Sequence, residues 1–291
     1  MVKQYSQLYL EARRALLTTE DRQIASLYAR NLLCHVSGKT QEQLLAAENL
    51  YASEEVCNAV EKAVERLVEG EPLAYVLGEW DFYGLRLEVN NNVLIPRDDT
   101  CAVTELAIRN ALFLEQTPRI LDLCTGSGCI GLAIASRVKD ARVTLGDISK
   151  DALAVAKRNV ASTHMTGRVS CLQIDALSKP QAFLGKFDMI VSNPPYVTSL
   201  EMEMLPHSVL DYEPHLALLG GADGLDFYRA ITENYKEALK DGGYLCYEFG
   251  EDQGDSICNI LEMNGFTIIE RAKDFNDRER AVIARYDRKE D

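Results

Sequence analysis

Two short segments carry residue types suited to chemistry. The first is Cys124-Thr125-Gly126-Ser127-Gly128-Cys129-Ile130-Gly131, which follows Ile120-Leu121-Asp122-Leu123. Glycines let a backbone turn sharply and let a ligand approach the main chain, and a helix starting at Cys129 would present free N–H groups there. Gly126, Gly128 and Gly131 spell G-x-G-x-x-G, and an acid, Asp147, follows at the roughly 20-residue spacing of a dinucleotide fingerprint. Asp122 argues for a different ligand. A pyrophosphate would be repelled by a carboxylate just before the loop, whereas a methionine moiety bearing ammonium and sulfonium groups would be attracted to it. Asp147 suits both cofactors, because a carboxylate at a strand end accepts from both hydroxyls of a ribose. A bare strand-to-helix turn would also use glycines; the order strand, loop, helix, distal acid favours a cofactor loop.

The second segment is Asn193-Pro194-Pro195-Tyr196, after Phe187-Asp188-Met189-Ile190-Val191-Ser192. Two prolines fix their own φ and bar the chain from continuing a ladder, and residues before proline are held extended. Asn193 is therefore expected to stand stiffly at the carboxyl end of a strand, the edge where open α/β sheets bind ligands. The Asn193 side-chain oxygen and the Pro194 carbonyl are each placed to accept one hydrogen from a planar –NH2 group, with Tyr196 stacked on its plane. Such fixed acceptors stabilise positive charge growing on a nitrogen that attacks an electrophile, for instance a sulfonium methyl held by the glycine loop. An Asn-capped proline turn on the surface is the plain alternative.

These segments need a sheet to position them. From about residue 100 helical and strand patterns alternate. Strands are expected at Arg119–Leu123, Arg142–Asp147, Val169–Ile174, Phe187–Ser192, Gly243–Phe249, Phe266–Glu270 and Arg280–Arg285. Helices are expected at Thr104–Leu114, Cys129–Val138, Asp151–Ala161, Phe227–Leu239 and Ser256–Met263. Strands separated by helices imply an α/β fold, a mostly parallel sheet covered on both faces. Before it, Tyr5–Leu17, Asp21–Leu33, a short helix capped by Thr40 and running to Asn49, and an acidic-start helix capped by Ser53 and ended by Gly70 and Pro72 form a small helical bundle. Leu85, Leu87 and Val89 alternate with Arg86 and Glu88. A hairpin turning at Asn90–Asn92 and returning through Val93–Ile95 is the economical reading. The expected domains are a helical one at 1–72, a hairpin linker at 73–97 and the sheet domain at 98–291.

The 291 residues carry 31 Lys and Arg against 45 Asp and Glu, a net charge of −14, which disfavours a broad nonspecific grip on nucleic acid. No apolar run exceeds five residues (Ala152–Ala156) and Met1–Arg14 lacks the apolar stretch of a signal peptide, so neither a membrane span nor secretion is expected. None of the eight cysteines forms a C-x-x-C pair, and His35, His164, His207 and His215 do not cluster with acids or cysteines at ligand spacing. A reducing, cytoplasmic protein without disulfides or a metal is expected. Glu213 and Glu248 fit a substrate-side wall or a solvated loop end equally well, and the mixed run Asp274–Arg280 reads as solvated. The stretch Glu54, Glu55, Glu61, Glu65 and Glu69 reads as the outer face of a helix, or as a docking surface for a basic partner.

The chain resembles the release-factor glutamine methyltransferases (PrmC/HemK) over nearly its full length. The resemblance rests on Phe82-Tyr83-Gly84, Val93-Leu94-Ile95-Pro96-Arg97, the segment Leu121–Gly128, Asp147-Ile148-Ser149, Ser192–Tyr196, Glu213-Pro214, Gly220-Gly221, Asp223-Gly224-Leu225, Glu248-Phe249-Gly250 with Gln253, and Lys273-Asp274-Phe275 with Arg278 and Arg280. It implies a Rossmann-like, class I methyltransferase sheet with an antiparallel last strand, and S-adenosyl-L-methionine as cofactor. It implies a peptide chain release factor as protein substrate, met by the helical domain and methylated on the glutamine of its Gly-Gly-Gln loop. Asp122, Cys124, Thr125, Gly126, Ser127, Gly128, Asp147, Ala176 and Asn193 would then bind the cofactor, and Asn193, Pro194, Pro195 and Tyr196 the glutamine, with Asn193, Pro194 and Tyr196 taking part in the reaction. The family commonly reads Ile-Pro-Arg-Pro-Glu-Thr-Glu where this chain has Asp98-Asp99-Thr100-Cys101 after Arg97, so what Pro and Glu do there must be done otherwise. Cys124 replaces a usual glycine, which is tolerable if its φ is negative, and Ala176 offers an adenine less surface than a larger side chain would. The Asn-Pro-Pro-Tyr tetrapeptide is shared with adenine-amino methyltransferases, the alternative function; the charge and the lack of a basic stripe argue against it. An NAD oxidoreductase using the glycine fingerprint and a silent binding module remain as readings from other classes.

Overall fold

The computed structural model describes residues 2–114 and 117–288. Contacts divide the chain into two compact units: residues 1–78 with 206–212, and residues 79–205 with 213–291.

The first unit is helical. It holds α1 (Tyr5–Leu16), α2 (Arg22–Ser37), α3 (Gln41–Ala46), α4 (Glu54–Val68), α5 (Leu73–Leu77) and a late one-turn helix, His207–Leu210. Its starts follow capping chemistry. Asp21 accepts from the Gln23 and Ile24 N–H groups, Thr40 from Gln43 and Ser53 from Val56, each satisfying a donor that the helix leaves free. α2 runs past the expected Leu33, because the first residue able to end it cheaply is Gly38, at φ +66°. Leu8, Leu16, Leu32 and Val60 fill its core.

The second unit opens with a hairpin, β1 (Glu79–Phe82) against β2 (Leu85–Glu88). This corrects the expected pairing across Asn90–Asn92. Tyr83 (φ +50°) and Gly84 (φ +79°) both adopt the positive φ of a two-residue hairpin turn. Val93–Ile95 form no strand: the Ile95 N–H donates to the Glu213 carboxylate at 3.2 Å instead of to a ladder.

The sheet and its covering helices follow in alternation. They are α6 (Cys101–Ala111), β3 (Arg119–Leu123), α7 (Cys129–Arg137), β4 (Arg142–Asp147), α8 (Lys150–Ser162), β5 (Val169–Gln173), β6 (Phe187–Ser192), α9 (Ser199–Met202) and, after the His207–Leu210 helix (α10), α11 (Asp226–Tyr235). β7 (Leu239–Glu248), α12 (Gly254–Met263), β8 (Phe266–Lys273) and β9 (Glu279–Tyr286) complete it. The strand order is β5-β4-β3-β6-β7-β9-β8. The first five strands are parallel, and β9 runs antiparallel between β7 and β8. Apolar residues of the hairpin, α6, α7 and α8 cover one face; those of α11 and α12 cover the other. The α/β class, the mostly parallel sheet and the antiparallel end are as the sequence implies. α11 stops at Tyr235, short of the expected Leu239, because Leu239 already pairs with Phe187 as the first residue of β7. α9 and α10 lie in a stretch where no helix was expected. Among the described residues no helix is long and apolar enough to cross a membrane.

Candidate active site

β3 and β6 are neighbours, so the loops that leave their carboxyl ends meet at one edge. Between them opens a cleft with a cavity volume of about 170 Å³. Cys124, Thr125, Gly126 and Ser127 form one wall, and Asn193 and Pro195 border the same space. Ile174, Ala176 and Phe227 add apolar surface.

The glycine loop is built from beneath. Asp122 is fully buried; its Oδ2 accepts from Thr125 Oγ1 at 2.6 Å and from the Gly131 N–H at 2.9 Å. Its Oδ1 has no partner, and burial pushes the carboxyl up to about 7. Asp122 therefore does not border the cleft, as a direct partner of a cationic ligand would; it pins the loop and occupies a free N–H at the start of α7. Gly128 also lies off the cleft. Gly131 is small for packing: a Cβ there would meet Leu145 Cδ2 at 2.3 Å and Asp122 Oδ2 at 2.9 Å. Asn159 on α8, wholly buried, ties the loop to the hairpin: it donates to the Ser127 carbonyl at 2.9 Å and the Glu88 carbonyl at 3.0 Å, and accepts from the Glu88 N–H at 2.7 Å.

Cys124 lies at φ +58°, so the condition of a negative φ is not met. A side chain occupies a left-handed position that usually favours glycine, which stores strain in the loop. Asp147 borders the cleft, accepting from the Gly126 N–H on Oδ2 and the Ser149 N–H on Oδ1, both at 2.9 Å. One further lone pair per oxygen is left for a diol. Burial raises this carboxyl above its usual range.

The Asn-Pro-Pro-Tyr segment is held by close packing. The Val197 N–H donates to the Leu218 carbonyl at 2.9 Å, and the Gly220 N–H to the Val197 carbonyl at 2.8 Å. A Cβ on Gly220 would stand 2.6 Å from both the Pro195 carbonyl oxygen and Tyr196 Cα. Gln253 Nε2 donates to the Tyr196 carbonyl at 3.1 Å. Pro194 is buried, and the Tyr196 ring packs with the α11–α12 core; neither borders the cleft.

Several charges that read as solvated or substrate-facing are structural. Glu213 is 4 % exposed and binds the Ile95 N–H and the Arg97 guanidinium. Arg280 is buried, with Nη2 lying 3.3 Å from both Asp99 and Asp274 and Nη1 donating to the Phe249 carbonyl. Asp99 thus supplies a carboxylate one position after Asp98, and Arg280 neutralises it. Glu248, 1 % exposed at the end of β7, is neither a wall facing solvent nor a loop charge. Thr100, also missed from sequence, is buried at the border of the cleft. Among the described residues no group of three His, Cys, Asp or Glu side chains could hold a metal ion.

The fold and the two loops define a class I, S-adenosylmethionine-dependent methyltransferase. A methyltransferase from Pyrococcus furiosus shares this fold, with a TM-score of 0.51 over 78% of this chain and 100% of that one at 17% identity. Residues 103–211 match the Methyltransferase small domain family, and residues 7–78 match the PrmC N-terminal domain. The chain is 45% identical over 213 residues to a release factor glutamine methyltransferase from Clostridium acetobutylicum, covering 73% of this chain and 74% of the relative. A bifunctional methyltransferase from Rickettsia typhi is 36% identical over 276 residues, 89% of this chain but 53% of that protein, so the chain spans about half of that longer relative. The chain belongs to the release factor glutamine methyltransferase family.

Proposed function

We propose that this chain transfers a methyl group from S-adenosyl-L-methionine to the side-chain amide nitrogen of the glutamine in the Gly-Gly-Gln motif of peptide chain release factors. The observation that carries the reading is Asn193 standing on the rim of the cleft whose other wall is the glycine loop. The bound cofactor supplies an electrophilic sulfonium methyl. In this reading Cys124, Thr125, Gly126 and Ser127 hold its methionine part, Asp147 its ribose hydroxyls, and the apolar wall at Ala176 its adenine. The residues fit that group. Gly126 leaves its Cα side open, with nothing within 4 Å of an added Cβ. The Gly131 N–H at the α7 terminus, which a pyrophosphate would need, is already taken by Asp122, and this weighs against a dinucleotide.

An amide nitrogen is a poor nucleophile because its lone pair is delocalised. Orientation is the remedy: the Asn193 side-chain oxygen, on the rim of the cleft, accepts one N–H and leaves one face of the nitrogen open to the methyl, while the buried Pro194, expected from sequence to offer its carbonyl as a second acceptor, lies off the cleft and holds Asn193 extended. Pro195 and Tyr196 stiffen this presentation from behind. The helical unit docks the release factor in this reading, and the protein works in the cytoplasm, without contact to nucleic acid or membrane.

The test is mass spectrometry of a release factor after incubation with enzyme and labelled cofactor. Label is expected on the Gly-Gly-Gln glutamine. Asn193→Ala should lower kcat by about 100-fold, the scale of losing one fixed polar group in a reaction centre, and should leave cofactor affinity nearly unchanged. Unaltered turnover would reject the role; label on adenine instead would transfer the chemistry to nucleic acid.

A further inference from the structure

Glu248 is the one buried acid at this edge that the reading above leaves without a task. The sheet register places it. Ser192 at the end of β6 pairs with Tyr247 on β7, so the next residues, Asn193 and Glu248, are neighbours on adjacent parallel strands. Side chains at matched positions of a parallel pair point to the same face. That face is the one of Val191 and Cys246, covered by α6 and α7. Glu248 is 1 % exposed there, and its Oε2 has no hydrogen-bond partner. Its backbone is anchored separately, the carbonyl accepting from Tyr228 Oη at 2.8 Å. A buried carboxylate oxygen without a partner is costly and calls for an explanation.

We propose that Glu248 is the positioning residue of the amide clamp: its ionised carboxylate accepts from the Asn193 Nδ2–H, and so turns Asn193 Oδ1 toward the substrate –NH2. An Asn side chain has a donor end and an acceptor end, and only the acceptor end serves an –NH2 substrate. An acceptor-only partner on the far side fixes which end faces the cleft. A protonated Glu248 would instead donate to Oδ1 and compete with the substrate for it. The proposal rests on the glutamine-methylation reading, and it adds a residue that touches neither cofactor nor substrate.

The surroundings support it. Burial is the largest effect on the Glu248 carboxyl and holds it up to about 7, while the nearby Thr100 and Asn193 side chains and the charge of Arg280 act the other way and favour the ionised form. The other groups facing it are Asp99, paired with Arg280, then Cys101 on α6, Cys129 on α7, Tyr196 after β6 and Tyr228 on α11. Burial raises all four of these thiols and phenols, so Glu248 is the group among them that changes charge around neutrality.

The experiment compares the full-length wild type, Glu248→Gln and Glu248→Asp on a Gly-Gly-Gln release factor across about pH 6 to 8. The wild-type kcat should fall on the acid side, with a midpoint near the Glu248 value. Glu248→Gln, which is uncharged at every pH and can offer Asn193 Oδ1 a competing N–H as readily as an acceptor, should lose that limb and lower kcat at the alkaline end by about 10- to 100-fold. Its KM for release factor and its Kd for S-adenosylmethionine by calorimetry should stay within about threefold, the pattern of an interaction made in the transition state. Glu248→Asp restores the charge and should recover the acid limb with an intermediate kcat. A flat wild-type profile, a Glu248→Gln enzyme that keeps both its kcat and its limb, or a loss confined to cofactor affinity would each overturn the proposal. A wild type that binds S-adenosylmethionine and leaves release factor unlabelled would remove the reading beneath it, an outcome separate from these.

Discussion

The glycine loop and the Asn-Pro-Pro-Tyr segment leave adjacent strands at one sheet edge, yet different forces hold them. Polar anchors hold the glycine loop from below: Asp122 on Thr125 and Gly131, and Asn159 on Ser127. Close packing adds most to the other: two prolines, and a glycine backing that leaves no room for a methyl, beside the bond from Gln253 to the Tyr196 carbonyl. A loop that must admit a flexible cofactor keeps its main-chain shape through bonds to buried side chains, with its open face bare. A segment that must present one amide at a fixed angle is stiffened by the covalent structure of the chain.

The comparison breaks most readily at Gly220. Gly220→Ala puts a methyl within contact of backbone atoms that cannot rotate away. It should destabilise the protein by about 1–3 kcal/mol, seen as a lower Tm, and cut kcat more than cofactor affinity. A variant with normal Tm and turnover would show that packing does not set the segment.

Asp122→Asn sharpens the other side. A carboxyl raised from 3.8 to about 7 binds its proton more tightly folded than unfolded. Wild-type stability therefore falls as pH rises through that window and is constant above it. The amide carries no such cost, so in denaturant titrations the variant should gain on the wild type by roughly 1–3 kcal/mol between about pH 4 and about pH 8. A pH-independent difference would refute the burial argument.

The smallest effect concerns Cys124. At φ +58° an alanine keeps the strain and a glycine releases it. Cys124→Gly should be more stable than Cys124→Ala by about 1 kcal/mol, the reverse of the order at an ordinary position. Thermal melts of the two variants decide it.

Much of this was legible in the sequence, for a physical reason. Parallel strands buried on both faces declare themselves as short apolar runs, and a proline pair after one of them fixes an edge loop. Gly126 and Asn193 were likewise visible as local chemistry, and they do share a cleft, while Gly128 and Gly131 lie off it. What failed was any feature set by a distant partner. Arg97 with Glu213, Asp99 with Arg280, and Asn159 with Glu88 join residues far apart in the chain, and each looks like an ordinary surface charge or amide until the fold brings its partner. The hairpin was misplaced because Asn90–Asn92 resembles a turn more than Tyr83-Gly84 does, although the latter takes the required φ. Asp122 was placed on the wrong side of the loop, since spacing fixes a strand position but not which way a last residue's carboxylate is used.

The antiparallel β9 has a consequence for how the enzyme comes into being. β8 precedes it in the chain but lies outside it in the sheet, so β8 has no neighbour to join until β9 has been threaded against β7. Arg280 travels on that same strand and completes the ion pair with Asp99 beside Glu248. During synthesis on the ribosome, the pocket's charge balance therefore closes only with this late insertion, and a nascent chain halted before residue 279 would carry both loops without the counter-ion that sits behind them.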